Sequence, residues 1–181
     1  MKLHQLSENA RPTIEGTTIT AFHAGNKFDG GFDLKFSGSG EGYRILGPGT
    51  YFITNRDTAS RYAQHARTEE AMLYTCDIKI DNFYNNALVP TERMEQTMAA
   101  IAKELGHDDF RKMPRNYDTL NNGRGFVGDV VKMAGHKRAQ QLFIKHGLNG
   151  CLEFIGPEWE IAVFNLGCVN ITEREPIAKP Q

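Results

Sequence analysis

Several short segments of the chain are rich in β-branched and aromatic residues, and some of them alternate between apolar and polar positions. Both features are typical of β-strands. Gly, Pro, Asn or Asp residues bound most of these segments, as turns require. The predicted strands are TTITAFHAG (17–25), TYFIT (50–54), MLYTCDIKI (72–80), CLEFI (151–155), EWEIAVFN (158–165) and CVNIT (168–172).

Two longer segments have the helical period instead. TERMEQTMAAIAKELG (91–106) and FVGDVVKMAGHKRAQQLFIKHG (126–147) both end at a glycine, which is typical of a helix C-terminus. Because strands and helices do not alternate regularly along the chain, we expect an α+β fold and not a doubly wound parallel sheet.

A shorter helix is predicted directly after the second strand. It would begin near Asn55 or Asp57, since either side chain can accept hydrogen bonds from free backbone amides as an N-cap. Its apolar positions recur at helical spacing and predict one stripe against the core: Ala59, Tyr62, Ala63 and Ala66.

The 181 residues suffice for one domain with its own core, and we expect a single domain over 1–181 with its core at about 17–172. The tail 173–181 contains two prolines and few apolar residues, so we expect it to lie loose on the surface. Residues 27–48 are rich in glycine interleaved with aromatic residues, a composition that favours a long loop. Long loops in compact domains are usually functional.

Composition narrows the function classes only slightly. Apolar residues make up 40% and charged residues 24%, and no segment approaches the roughly 20 apolar residues of a membrane helix. The net charge of -1 gives no general attraction to nucleic acid. Neither the three cysteines nor the six histidines are spaced as metal ligands, so we expect no metal. The absence of a signal-peptide pattern and the odd number of cysteines favour a cytoplasmic location.

Four motifs, taken in order, point to one family. They are FHAG (22–25) on the first strand, GTYF (49–52) on the second, Tyr62 on the following helix, and EIAVF (160–164) on a late strand. Together with the eleven-residue spacing from Tyr51 to Tyr62, this set resembles the ADP-ribosyltransferase fold in its His-Tyr-Glu form. Diphtheria-toxin-like enzymes and the catalytic domain of poly(ADP-ribose) polymerases share that form, as do many phage and bacterial effectors. The resemblance implies split, mainly antiparallel sheets, flanking helices and a central NAD cleft.

The resemblance assigns a role to each motif residue. His23 would hydrogen-bond the adenosine ribose of NAD, and the backbone of Ala24 or Gly25 would hold the nicotinamide amide. Tyr51 and Tyr62 would sandwich the nicotinamide ring, and aromatic stacking of this kind contributes about 0.5–1.5 kcal/mol beyond the area that it buries.

Glu160 is the predicted catalytic residue. By resemblance it binds the 2′-hydroxyl of the nicotinamide ribose and stabilises the cationic transition state, with His23 and Tyr51 as the other members of the triad. Phe52 and Ser60 would join the cofactor-binding residues. Glu158 and Glu160 form a Glu-x-Glu pair like that of the arginine-modifying branch of the family, so Glu158 would orient the acceptor.

Three functions stay open at this point. The first is a mono-ADP-ribosyltransferase that uses NAD as its substrate and modifies a macromolecular acceptor, protein in preference to nucleic acid. The second is an NAD glycohydrolase with water as the acceptor, and the third is a non-catalytic module that binds NAD or ADP-ribose. The resemblance also suggests a small phage or bacterial effector that acts in the cytoplasm of its own or a host cell.

Overall fold

A computed structural model describes residues 15–28, 30–34, 45–66 and 70–177 of the chain. This part forms a mixed α+β fold in which helices pack against a seven-stranded sheet, so the predicted class is confirmed. The strands are β1 (Thr18–Asn26), β2 (Thr50–Ile53), β3 (Ala71–Lys79), β4 (Phe83–Tyr84), β5 (Gly150–Ile155), β6 (Glu158–Val163) and β7 (Val169–Ile177). The helices are α1 (Arg56–Arg61), α2 (Glu92–Glu104), α3 (Thr119–Asn122), α4 (Gly125–Ala134) and α5 (His136–Lys145). None of the helices in these ranges is long and apolar enough to cross a membrane.

The strands form one sheet with the order β4-β5-β6-β2-β1-β3-β7. β1 and β3 pair over nine residues, whereas the register between β1 and β2 is the single pair Phe22 and Ile53. All strand pairs are antiparallel except β4 with β5. From His23 onward, β1 therefore has no ladder partner on its β2 side within the described residues.

Helices cover one face of the sheet in two separate groups. Ala59 of α1 packs with Ile53 and Leu73, and so covers the sheet around β1 and β3. Helices α2, α4 and α5 contribute to a larger core cluster that includes Ala162 and Phe164, and Tyr51 packs against it. The boundary between the two groups runs along β2.

The N-terminal ends of two helices agree with the sequence prediction. Asn55 is the N-cap of α1 and accepts a 3.0 Å hydrogen bond from the Thr58 amide. Thr91 caps α2 in the same way, and the helix ends just before Gly106, which has a φ of +83°. Both segments form where the polar cap and the helical stripe coincide.

Two predictions were wrong in their boundaries. The single helix predicted over 126–147 is two helices, because Gly135 adopts a φ of +74° and ends α4 before α5 begins. The tail predicted to be loose from residue 173 continues as β7 to Ile177 and pairs with β3, while residues 178–181 lie outside the described part. The predicted loop 27–48 is described only at 27–28, 30–34 and 45–48, and the two-residue strand β4 was not anticipated.

Candidate active site

Glu160 lies on β6 directly between two neighbouring strands. Its Cα is in register with Ile53 of β2 on one side and with Glu153 of β5 on the other. Register partners project from the same face, which we call the Glu160 face; it also carries Tyr51 and Ala162. The side chain is partly buried, and this burial raises the pKa of Glu160, with further increases from the charges of Glu153 and Glu158.

Tyr62 approaches the same carboxylates from the helical side. It begins a 3-10 turn (Tyr62–His65) that continues α1, and its side chain is 49% exposed although the sequence pattern placed it in the core stripe. Burial of the rest of the ring raises the pKa of Tyr62, and the negative charges of Glu160 and Glu158 raise it further. The hydroxyl therefore stays protonated at neutral pH.

Glu158 lies two residues before Glu160 on β6, and so projects from the Glu160 face as well. Its Oε2 atom accepts a 3.2 Å hydrogen bond from the Thr58 hydroxyl of α1. The bond connects β6 to the helix that carries the neighbouring Tyr62.

Tyr51 is held by its hydroxyl group at the opposite side of the site. The hydroxyl donates to the Gly47 carbonyl at 2.9 Å and accepts from the Leu46 amide at 3.0 Å. Tyr51 is in register with Ala162, so it is a diagonal neighbour of Glu160 at a Cβ separation of about 7 Å. Two hydrogen bonds at the tip of the side chain fix the direction of the ring.

His23 bridges the gap where β1 and β2 separate. Its Nδ1 atom lies 2.8 Å from the Tyr51 carbonyl oxygen, which only accepts, so Nδ1 carries the proton. Burial lowers the pKa of His23, and the bond to Tyr51 opposes this only in part. The imidazole is thus neutral at pH 7, and its Nε2 atom is an acceptor.

The His23 ring itself lies on the other side of the sheet, which we call the His23 face. Its centroid is 5.1 Å from Phe32, 5.7 Å from Phe52 and 6.1 Å from Tyr74. Phe52 was predicted to bind the cofactor, but its side chain is 2% exposed in the core. Because alternate residues of β2 face opposite sides, Phe52 supports His23 from behind and Tyr51 faces the site.

The remaining predicted cofactor residues differ in their surroundings. Ala24 packs against the apolar cluster that contains Ala59 of α1, whereas Gly25 lies beside the His23 ring. A Cβ atom at Gly25 would stand 3.0 Å from His23 Nε2, so a larger side chain at this position would crowd the imidazole. Ser60 donates its hydroxyl hydrogen bond within α1 to the Arg56 carbonyl at 2.9 Å.

Arg124 and Glu153 complete the charged surroundings of Glu160, and the sequence analysis did not select either. Arg124 Nη1 lies 2.7 Å from Glu153 Oε1, and the positive charge of Arg124 acts to lower the pKa of Glu160. The detectable signal was Glu153, a charged residue at an alternating position within the otherwise apolar strand CLEFI. Arg124 stands between two glycines and gave no comparable signal.

Those glycines fix the position of Arg124 against the Tyr51 turn. Gly123 and Gly125 have φ values of +96° and +54°, and a Cβ at Gly123 would lie 2.9 Å from the nitrogen of Gly47. The carbonyl oxygen of Gly47 also accepts the hydrogen bond from the Tyr51 hydroxyl. The backbone around Arg124 and the anchor of Tyr51 are therefore packed against each other.

Comparison with known proteins adds no relative: no family model, no curated protein and no solved structure matches the chain. Within the described ranges, no group of three or more His, Cys, Asp or Glu side chains is arranged to hold a metal ion. The candidate site is therefore described by the positions of its own residues. A partly buried glutamate lies beside a half-exposed tyrosine, at the boundary between two helical covers.

Proposed function

We propose that the protein is a mono-ADP-ribosyltransferase that cleaves NAD and transfers ADP-ribose to a macromolecular acceptor, protein in preference to nucleic acid. The observation that carries the proposal is the partly buried Glu160, which shares a sheet face with Tyr51 and is close enough to Tyr62 to raise the pKa of that tyrosine. The described strands form one seven-stranded sheet in which β1 and β2 share a single register pair, so the split sheets of the family remain part of the proposal.

The reaction breaks the bond between C1′ of the nicotinamide ribose and the nicotinamide nitrogen. The electron pair of that bond leaves with neutral nicotinamide, and the ribose becomes cationic. A carboxylate that is fixed before the reaction stabilises this charge more than water does, because it needs no reorganisation. Glu160 supplies that carboxylate and accepts a hydrogen bond from the ribose 2′-hydroxyl. The acceptor then bonds to C1′ and releases a proton.

The other residues bind and orient NAD. In this proposal the nicotinamide stacks between Tyr51, whose ring direction is fixed by its anchored hydroxyl, and Tyr62, whose partly exposed ring follows α1 directly. The ring of neutral His23 lies on the opposite face of the sheet from Glu160 and Tyr51, so its role in this proposal is to hold the Tyr51 backbone through the Nδ1 hydrogen bond, and its contact with the adenosine ribose stays a prediction of the resemblance. Glu158, already bonded to Thr58, orients the acceptor nucleophile.

The proposal is tested by incubating the protein with NAD labelled in its adenylate part and a cell extract. Wild type should release nicotinamide and leave label on protease-sensitive material, whereas Glu160→Gln should do neither. The matched variant Glu158→Gln should still release nicotinamide but transfer less label, because it acts on the acceptor.

Two outcomes would replace the proposal. Nicotinamide release without any bound label would identify a glycohydrolase. NAD binding without turnover by wild type would identify a binding module.

A further inference from the structure

The ion pair between Arg124 and Glu153 lies one strand away from Glu160 and involves no predicted site residue. Glu153 is in register with Glu160, and directly opposite residues on neighbouring antiparallel strands have Cβ atoms about 4.5–5.5 Å apart. Two carboxylates at this separation repel each other unless a cation intervenes. Arg124 provides that cation at 2.7 Å from Glu153 Oε1.

Arg124 offsets only part of the negative charge of Glu153. The Glu153 side chain is 22% exposed, and its Oε2 atom is buried without a hydrogen-bond partner among the described residues. One oxygen therefore carries negative charge in a desolvated position on the strand next to Glu160, where charges interact more strongly than in water. The electrostatic potential at Glu160 therefore depends on how far the positive charge of Arg124 offsets the negative charge of Glu153.

We propose that Arg124 and Glu153 are positioning residues that set the protonation state of Glu160 and thereby the acid limit of the reaction. The inference rests on the proposed function for the role of Glu160. Glu160 must be ionised to stabilise the ribose cation, so any change that favours its protonated form lowers activity in weakly acidic solution.

The other groups around Glu160 do not duplicate this effect. Glu158 on β6 is a second negative charge, and Tyr62 and Cys151 are neutral because burial and nearby carboxylates raise the pKa of each. Arg124 is the one cation that acts on the pKa of Glu160 in the described part of the chain. The two members of the ion pair therefore act on Glu160 in opposite directions.

Because Arg124 and Glu153 act on Glu160 in opposite directions, their substitutions should shift the pH dependence of activity in opposite directions. Arg124→Gln leaves Glu153 uncompensated and should move the acid limb of kcat/KM to higher pH, with activity at pH 6 falling about threefold or more relative to wild type and recovering near pH 8. Glu153→Gln removes the main repulsion and should move the limb to lower pH. The double variant should lie between the two, close to wild type. Arg124→Lys keeps the charge and should rescue most of the profile.

A second readout does not depend on activity. Titration of the Glu160 side-chain carboxyl carbon by NMR should show the same opposite shifts in the two single variants, and Arg111→Gln, which breaks the exposed pair with Glu95, should leave it unchanged. Shifts of both variants in the same direction, or no shift in either, would overturn the inference. If no variant turns over NAD, the proposed function fails, and the NMR titration still decides whether the pair controls Glu160.

Discussion

The two faces of the sheet at β1, β2 and β6 are built from alternate residues of the same strands, yet they differ in the charged and aromatic side chains that they carry. On the His23 face, Phe52 and Ile161 are at most 2% exposed, and aromatic rings surround the imidazole. On the Glu160 face, three glutamates face one arginine, and Tyr62 is half exposed. Both faces carry core residues, but the Glu160 face also keeps charges that stability alone would not favour.

The hydrogen bond from His23 to the Tyr51 carbonyl connects the two faces. Burial among apolar residues lowers the pKa of His23, while partial burial and the charges of Glu153 and Glu158 raise the pKa of Glu160. Perturbed titration of this kind is typical of functional sites. The comparison predicts that variants on the two faces separate stability from function.

The largest effect on stability is expected on the His23 face. Phe52→Ala removes a ring that is 2% exposed and should lower the free energy of unfolding by about 3–5 kcal/mol. Phe154→Ala is the matched control, since Phe154 is 56% exposed, and it should cost less than about 1 kcal/mol. Chemical denaturation measures both, and equal costs would contradict the assignment of Phe52 to the core.

The protonation of His23 should be visible in the pH dependence of stability. Its pKa is lowered in the folded state, so below about pH 6.5 the unfolded chain binds the proton and the folded chain does not. Wild type should lose stability as the pH falls from 7 to 5, by at most about 1.4 kcal/mol per pH unit. His23→Asn keeps a donor for the Tyr51 carbonyl and should lack this loss. Parallel curves for the two proteins would show that His23 titrates normally.

On the Glu160 face, removal of an aromatic ring should affect binding more than folding. Tyr62→Ala should weaken NAD binding about threefold to tenfold, which corresponds to a stacking contribution of about 0.5–1.5 kcal/mol, and should change stability by less. Tyr117→Ala, at a residue that is 87% exposed, serves as the control and should change neither. Calorimetry measures the NAD affinity of both variants. An unchanged affinity in Tyr62→Ala would show that Tyr62 does not contact NAD.

The smallest expected effect is a gain of stability. The raised pKa of Glu160 means that its ionised form destabilises the folded state at neutral pH, so Glu160→Gln should be more stable by about 0.5–1 kcal/mol at pH 7. The gain should vanish as the pH falls below about 4.3, where the unfolded chain is protonated too. Glu173→Gln on the exposed edge strand should show no gain. A loss of stability in Glu160→Gln would mean that the carboxylate is a structural partner.

The sequence predicted the fold where one physical signal dominated. Alternating strands and capped helices such as α2 were found because cap, periodicity and terminal glycine agree. The break at Gly135 was missed because the apolar stripe continues across it, and only the positive φ separates α4 from α5. The extension of β7 was missed because EREPI is polar, yet a strand at the edge of the described sheet, paired there with β3, tolerates exposed charges and Pro176.

The candidate site was predictable as motifs but not as an electrostatic arrangement. Glu160, Tyr51 and Tyr62 could be selected from their order and spacing. The effect of Glu153 and Arg124 on Glu160 depends on strand register and on the packing of Gly123 against Gly47, which are tertiary properties. Phe52 was wrongly predicted to bind the cofactor because a short strand does not reveal which of its alternate residues are buried.

The most direct test of the central claim compares nicotinamide release and NAD binding for wild type and Glu160→Gln under the same conditions. A group that acts mainly on the transition state affects turnover and not binding. We expect the release rate to fall at least about a hundredfold, with the dissociation constant for NAD nearly unchanged. Equal release rates, or an equal loss of binding and turnover, would contradict the assignment of Glu160 as the catalytic residue.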